Sequence, residues 1–317
     1  MKTILITGFS GFVGPYLIKE LFSCTSENYK LIGLSRGKDV GKDLEGFPIE
    51  KLCVDLNDCD QIAKVLELYQ PDFIIHLASN SSVAFSWTEP VKSFQNNTNI
   101  FLNLIESVRN LNLTCRILSI GSSEEYGIVD KNNIPLKECA PLNPISPYAV
   151  ARVSQELISK IYVDGYGLDI VMTRSFNHIG PGQKETFVIS SFAKQIVKIK
   201  RGLLKKGEVG NINVIRDFLD VRDVVKAYKL LLERGKRGEI YNICRGEGHS
   251  LKEILVMMEE IADINIQYIS KDSLQRNLDN PIIVGCNNKI KNQVNWQPII
   301  SLDQSLADIL SYWENCI

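Results

Sequence analysis

The chemistry in this chain gathers between Gly121 and Arg152. One end reads Gly121-Ser122-Ser123-Glu124-Glu125-Tyr126-Gly127, the other Ser146-Pro147-Tyr148-Ala149-Val150-Ala151-Arg152. Ser146-Pro147 is a good helix start, because proline suits the first helical turn. On that helix positions i and i+4 share a face, so Arg152 can lie beside the Tyr148 phenol. A free phenol has a pKa of about 10, too high for a base at neutral pH. A fixed positive charge beside it favours the phenolate. Tyr148 can then give or take a proton at an oxygen that the Ser122 hydroxyl also holds. The pair by itself says little. With 11 Tyr and 36 Lys+Arg in 317 residues, about one Tyr-x-x-x-Lys/Arg pair arises by chance as ordinary helix-surface neighbours. The chain has two, the second being Tyr241/Arg245. Only the surroundings can give the first one meaning.

Those surroundings must position it. Apolar runs predict strands over 3–7, 30–35, 49–53, 73–77, 114–120 and 169–174. Amphipathic stretches predict helices over 11–21, 59–69, 90–110 and 147–166. This βαβα rhythm points to an α/β fold with a parallel sheet covered by helices on both faces. After Arg174 the rhythm breaks. Helices are expected over 187–201, 221–234, 251–261 and 302–315, with short strands at 211–215 and 264–270. The reading is a dinucleotide-binding unit over 1–175, joined by parts of 213–243. A smaller α+β substrate region over 176–317 packs on it, with a ligand cleft between them.

A glycine turn follows the first strand at once. Gly8-Phe9-Ser10-Gly11-Phe12-Val13-Gly14 has the spacing Gly-x-x-Gly-x-x-Gly and opens a helix. The first glycine permits the tight turn, the second lets backbone approach a pyrophosphate, and the third lets helix pack on strand. The helix N-terminus offers N–H groups and partial positive charge to phosphates. At the end of the second strand an acid favours a free ribose 2′-hydroxyl and an arginine a 2′-phosphate. Ser35-Arg36 stands there, so NADP(H) is preferred, with NAD(H) the second choice. Asp55-Leu56 is expected to hold the adenine amino group, and Leu77-Ala78-Ser79 to line the dinucleotide.

Composition narrows the class. The formal net charge is -1, which gives no field for nucleic acid or an anionic membrane. No apolar run is long enough to span a bilayer. The short N-terminal apolar segment enters glycines directly and reads as a strand, with no signal peptide. None of the eight cysteines forms Cys-x-x-Cys, and Cys53, Cys115 and Cys244 sit in apolar surroundings. Free thiols in a reducing cytoplasm are expected. The three histidines lack ligand spacing, so no metal is expected.

In this order the glycine loop, Asp55-Leu56, His76-Leu77-Ala78, the serine cluster and Tyr148-x-x-x-Arg152 resemble the extended short-chain dehydrogenase/reductase family, in its nucleotide-sugar branch. The resemblance covers essentially the whole chain. Three segments narrow it to GDP-4-dehydro-6-deoxy-D-mannose reductases: Arg174-Ser175-Phe176-Asn177-His178-Ile179-Gly180-Pro181-Gly182-Gln183, Phe187-Val188-Ile189-Ser190-Ser191-Phe192-Ala193-Lys194-Gln195 and Arg216-Asp217-Phe218-Leu219-Asp220-Val221-Arg222-Asp223.

The resemblance implies a doubly wound sheet of Rossmann type and reduction of the C4 keto group of a GDP-linked 4-keto sugar. Tyr148 would be the acid, Ser122 would orient the keto oxygen, and Arg152 falls where the family usually has lysine. Asn97, Phe176 and His178 would line the cofactor. Ser81, Ser123 and Glu124 would face the hexose. Asn177, Val188, Lys194, Arg216 and Arg276 would lie along the sugar diphosphate, where an arginine fork can grip phosphate oxygens. A surface ion pair of Arg216 with Asp217 is the plainer alternative. Glu124 also sits two places after Ser122, where a dehydratase carries an extra acid/base. A 4,6-dehydratase therefore stays open, as do a 4-epimerase and a nucleotide-binding protein without catalysis. A homodimer through the helices over 90–110 and 147–166 is expected by the same resemblance.

Overall fold

The apolar runs of the first half form strands β1 (Lys2–Thr7), β2 (Tyr29–Ser35), β3 (Ile49–Cys53), β4 (Phe73–His76), β5 (Arg116–Ser122) and β6 (Asp169–Ser175). Helices α1 (Val13–Ser23), α2 (Cys59–Tyr69), α3 (Val83–Thr88), α4 (Pro90–Phe94), α5 (Ile100–Asn110) and α6 (Pro147–Tyr166) lie between them. The second half has short strands: β7 (Asn177–Ile179), β8 (Gly207–Val209), β9 (Ile215–Arg216), β10 (Phe218–Asp220), β11 (Ile240–Ile243), β12 (His249–Ser250), β13 (Tyr268–Ser270) and β14 (Ile282–Ile283). Its helices are α7 (Val188–Lys200), α8 (Val221–Arg234), α9 (Leu251–Ala262), α10 (Asn288–Val294) and α11 (Leu302–Cys316). This computed structural model describes residues 1–23, 29–37, 44, 46–274 and 278–317.

Seven strands form one sheet in the order β11-β6-β5-β4-β1-β2-β3. Every neighbouring pair is parallel. Such a sheet must be covered on both faces. Leu17 and Ile18 of α1 join Val224 and Tyr228 of α8 in the core on one face. Ile62 and Leu66 of α2 join Phe101 and Leu104 of α5 on the other. Each such buried side chain stabilises the fold by about 1.5–3 kcal/mol relative to exposure. The sheet is doubly wound, and the chain changes direction across it between β1 and β4. In that topology ligands bind beyond the carboxyl ends of those two strands.

β11, inside the stretch 213–243 read as joining the first unit, is the seventh strand of the large sheet, paired with β6 from Ile240 opposite Met172. Other elements differ from the expectation. The expected strand over 211–215 shrinks to β9, because the Asn211 side chain accepts the Asn213 N–H and makes a turn. The strand over 264–270 shortens to β13, since Glu259 takes the Ile264 and Ile266 N–H groups. The expected helix over 90–110 is interrupted by a π turn at Gln95–Asn99. Around α7, α9 and α11 a third core forms, with Phe192, Ile196, Met258, Leu306 and Ile309. Cys53 is exposed, against the apolar setting expected for it, because it lies on the solvent side of the terminal strand β3. Among the described residues no helix is long and apolar enough to cross a membrane.

Candidate active site

Strand β5 delivers Ser122 to the carboxyl edge of the sheet. There a short turn, Ser123–Tyr126, begins with a capping box: Ser122 Oγ accepts the Glu124 N–H at 3.2 Å, and Glu125 Oε1 accepts the Ser122 N–H at 2.6 Å. Helix α6 is fixed by its own signals. Ser146 Oγ accepts the Ala149 N–H, proline follows, and Gly167 closes the other end in the left-handed conformation.

The helix turns Tyr148 and Arg152 inward, and both are buried. Arg152 Nε donates to the Tyr148 hydroxyl at 3.2 Å. Its Nη1 donates to the Ile120 carbonyl at 3.1 Å and to Gln155 Oε1 at 2.7 Å. The guanidinium therefore ties the phenol to β5 two residues before Ser122. The guanidinium thus stands within hydrogen-bond reach of the phenol oxygen from a fixed position.

The glycine turn lies at the switch point. Gly8 has φ +68, and a Cβ on it would stand 2.7 Å from the Ala78 backbone after β4. A Cβ on Gly14 would stand 1.8 Å from the Phe9 carbonyl oxygen, so the third glycine lets α1 close on its own turn. Thr7 Oγ1 accepts the Ala78 N–H at 3.2 Å and pairs with His76 Nδ1 at 2.9 Å. Burial first, then the Arg152 charge, push His76 down to about 3, so it stays neutral.

Ser10 and Gly11 face solvent, with Phe12 and Val13 half-buried behind them. Phe9 is wholly buried. Ser35 is buried at the end of β2, and exposed Arg36 donates from Nη1 to Asn96 at 3.0 Å. Asp55 is exposed and accepts both N–H groups of Asn57, while Leu56 is buried. Leu77 and Ala78 are half-buried, and Ser79 and Ser81 are exposed. A glycine turn at the switch point with Ser10 and Gly11 exposed, a cation at the β2 edge, and half-buried Leu77 and Ala78 fit a dinucleotide.

Two residues expected at the cofactor, Asn97 and Phe176, are buried in this structure. Asn97 was expected at the cofactor, but it is wholly buried and its amide is taken up. Oδ1 accepts the Asn80 N–H, and Nδ2 donates to the Asn80 and Ser93 carbonyls. It positions the loop after β4 from within the π turn, a geometry often found beside functional sites. Phe176 is also buried, its ring 6.2 Å from that of Tyr126 in a separate apolar cluster, which leaves no side-chain face for the cofactor. Arg276 lies outside the described residues. His178 Nδ1 has no hydrogen bond among the described residues, and burial pushes its pKa down to about 4.

Arg216 is buried and pairs with Asp279 at 2.7 Å. The alternative of a surface pair with Asp217 therefore fails. Asp217 is wholly buried and accepts N–H groups from Arg245, Gly246 and Gly285 at 2.8, 2.9 and 3.3 Å. Burial raises its pKa to about 6 despite those donors. Asn177 donates to the Asp217 carbonyl at 3.3 Å. Lys194 on α7 pairs with Glu185 and stands 5.1 Å over the Trp313 ring, with Val188 exposed at the start of the same helix. Ser123 is buried in the turn after Ser122, and Glu124 is half-buried beside it. Tyr241 and Arg245, the second pair by spacing, fall on β11 and just beyond its end, where i and i+4 are not helical neighbours.

Sequence reasoning missed a polar network behind Tyr148. Arg152, Gln155, Glu156 and Ser159 are all buried on one face of α6. Their spacing, i, i+3, i+4 and i+7, is that of an apolar stripe occupied by polar residues. That mismatch was the available signal.

The sequence model of the GDP-mannose 4,6 dehydratase family matches residues 5–309. The chain is 32% identical over 315 residues to the GDP-6-deoxy-D-mannose reductase of Pseudomonas aeruginosa, covering 99% of this chain and 98% of that protein. It is 30% identical over 285 residues to a GDP-mannose 4,6-dehydratase of Vibrio cholerae, covering 85% and 74%. Among solved structures, RMD from Pseudomonas aeruginosa complexed with NADPH superposes with a TM-score of 0.87 at 32% identity, over 100% of both chains. A UDP-glucose 4-epimerase of Thermotoga maritima with UDP-glucose superposes with a TM-score of 0.90 at 25% identity, over 99% of both.

Proposed function

The chain belongs to the GDP-mannose 4,6-dehydratase family, and from that premise we propose that it is an NADP(H)-dependent reductase of the C4 keto group of a GDP-linked 4-keto-6-deoxy sugar. The observation that carries the reading is the Arg152–Tyr148 hydrogen bond at the end of β5, in a chain similar over its whole length to a reductase. The bound nicotinamide would supply hydride to the keto carbon. Tyr148 would protonate the developing alkoxide, and Ser122 would hold that oxygen by a hydrogen bond. Arg152 would fill the place of the usual lysine. Its Nε and Nη1 hold protein groups, which leaves Nη2 to face the nicotinamide ribose.

The backbone of 8–14, Ser35, Arg36, Asp55, Leu56 and 77–79 would hold the rest of the dinucleotide. Arg36 favours the 2′-phosphate of NADP(H). Asn177, Val188, Lys194 and Arg216 would take the sugar diphosphate, the two cations exchanging their carboxylate partners for phosphate oxygens. Ser81, Ser123 and Glu124 would face the hexose. Glu124, two places after Ser122, keeps a 4,6-dehydratase as the second reading. The dinucleotide unit would comprise 1–175 with α8 and β11, and the substrate region the remainder. We further propose a cytoplasmic homodimer. The exposed apolar residues Val150, Leu157 and Ile161 form one stripe on α6, beside exposed Val91 on the neighbouring α4.

The test is a turnover screen. Oxidation of NADPH with GDP-4-keto-6-deoxymannose, faster than with NADH, is the expected result. Absence of oxidation with this and related 4-keto sugars would sink the reading. Formation of a 4-keto product from GDP-mannose alone would establish the dehydratase instead.

A further inference from the structure

Arg152 is a buried cation with no ion-pair partner among the described residues. The neighbouring carboxylates Glu156 and Glu125 turn instead to Arg174, whose Nε lies 2.8 and 3.8 Å from them. Lys160 adds a second cation to Glu156 at 3.2 Å. The hydrogen bonds of Arg152 go to neutral groups: a phenol, a carbonyl and an amide. In such a place the acceptors that meet its N–H groups decide where the guanidinium points, because an orphaned buried donor is costly.

Gln155, one turn further along α6, meets that need. It is buried, and its amide is fixed at both ends. Oε1 accepts from Arg152 Nη1 at 2.7 Å, and Nε2 donates to Ser119 Oγ at 2.9 Å and to the Ile120 carbonyl at 3.1 Å. Turned over, the amide would set its NH2 against the guanidinium and its oxygen against that carbonyl, so the observed orientation is the stable one. Ser159 supports it: its hydroxyl donates to the Gln155 carbonyl at 2.8 Å and lies 3.5 Å from Ser119 Oγ. Both Nη1 hydrogens of Arg152 are thus occupied, by Gln155 and by Ile120, and Nε is left aimed at Tyr148. A guanidinium only donates, so the phenol oxygen accepts there, and its own hydrogen stays free for an oxygen held by Ser122.

We propose that Gln155 is a positioning residue: by occupying one Nη1 hydrogen it fixes the guanidinium plane that places Nε on Tyr148 and Nη2 toward the cofactor. The demand is particular to arginine. Its five N–H groups sit in a rigid fork and need acceptors at set places, whereas the three of a lysine ammonium rotate freely. Without the Gln155 amide, Arg152 has an unmatched donor beside the narrow crevice between β5 and α6 that Gly121, Glu156 and Thr173 help to line, and its plane is free to turn. The cofactor contact and the kinetic consequence rest on the reductase reading; the hold on the guanidinium does not.

Gln155→Met, with Gln155→Leu as a second variant, keeps much of the side-chain volume and removes the amide. Hydrogen exchange at the Arg152 Nε–H would be followed by arginine-selective NMR, without substrate or cofactor, in the parent and in each variant. The Nε–H of Arg174, which holds the same helix through Glu156, is the control for general loosening. The expected result is exchange at least about tenfold faster at Arg152, with Arg174 changed less than about threefold. In turnover, Gln155→Met should lower kcat about tenfold with the sugar-nucleotide KM nearly unchanged, and that loss should be at least about threefold smaller in an Arg152→Lys background. Unchanged exchange at Arg152, equal acceleration at both arginines, or an equal kcat loss in both backgrounds would overturn the proposal. Faster exchange at Arg152 alone, in a protein that turns over no 4-keto sugar, would support it and count against the reductase reading.

Discussion

Tyr148 and Arg152 illustrate how a pair that chance supplies becomes a site. Their spacing is shared with Tyr241 and Arg245, yet only the first pair sits on a helix and shares a hydrogen bond. Arg152 is bound on two sides by protein, which a flexible lysine point charge would not reproduce. The two neighbouring histidines do not compete for the proton. His76 and His178 are both pushed well below neutral pH by burial, so neither is an acid where the enzyme works. Tyr148→Phe should therefore lower kcat by about 10²–10⁴-fold, the usual worth of a positioned general acid. NADPH affinity, read by fluorescence titration, should change less than threefold. Turnover near the parent level would remove Tyr148 from the mechanism.

At the scale of elements, the switch point between β1 and β4 is built from backbone. The Gly8 turn presses on the Ala78 backbone, and Thr7 Oγ1 fastens the same segment from the other side. Asn97 does the equivalent work for Asn80, and the π turn is what brings its amide there. Gly8→Ala forces a Cβ into the left-handed conformation and against Ala78. The strain is about 1–3 kcal/mol, and relief must open the loop that would carry the pyrophosphate. NADPH affinity should fall at least about tenfold, with a lower melting temperature. Unchanged affinity would show that this turn does not carry the cofactor.

For the whole molecule, Asp217 joins the parts. It accepts N–H groups from the segment after β11 and from the segment after β14, so it stitches the edge of the large sheet to the smaller region. Tyr16 of α1 adds a hydrogen bond of 2.7 Å to the Pro181 carbonyl. The Arg174–Gln183 signature thereby closes over the glycine helix. Assembly belongs to this scale as well. Leu157 and Ile161 are 49% and 60% exposed on α6, an unfavourable exposure that a second copy would relieve. Sedimentation velocity at micromolar concentration should give a dimer, and Leu157→Asp with Ile161→Asp a monomer. A monomeric parent would end that proposal.

Periodicity and local punctuation are properties of neighbouring residues, so they were legible in the chain. The ranges of β3, α2, α6 and α8 match the expectation residue for residue. The glycine turn and the face shared by Tyr148 and Arg152 follow from the same local rules. What required the folded molecule were relations between residues distant in sequence. Only the tertiary structure sets the register of β11 against β6, turns Asn97 and Phe176 away from solvent, and gives Arg216 to Asp279. It alone sets Glu125 against Arg174 and Glu156, because a buried charge has no meaning until burial decides which partners remain.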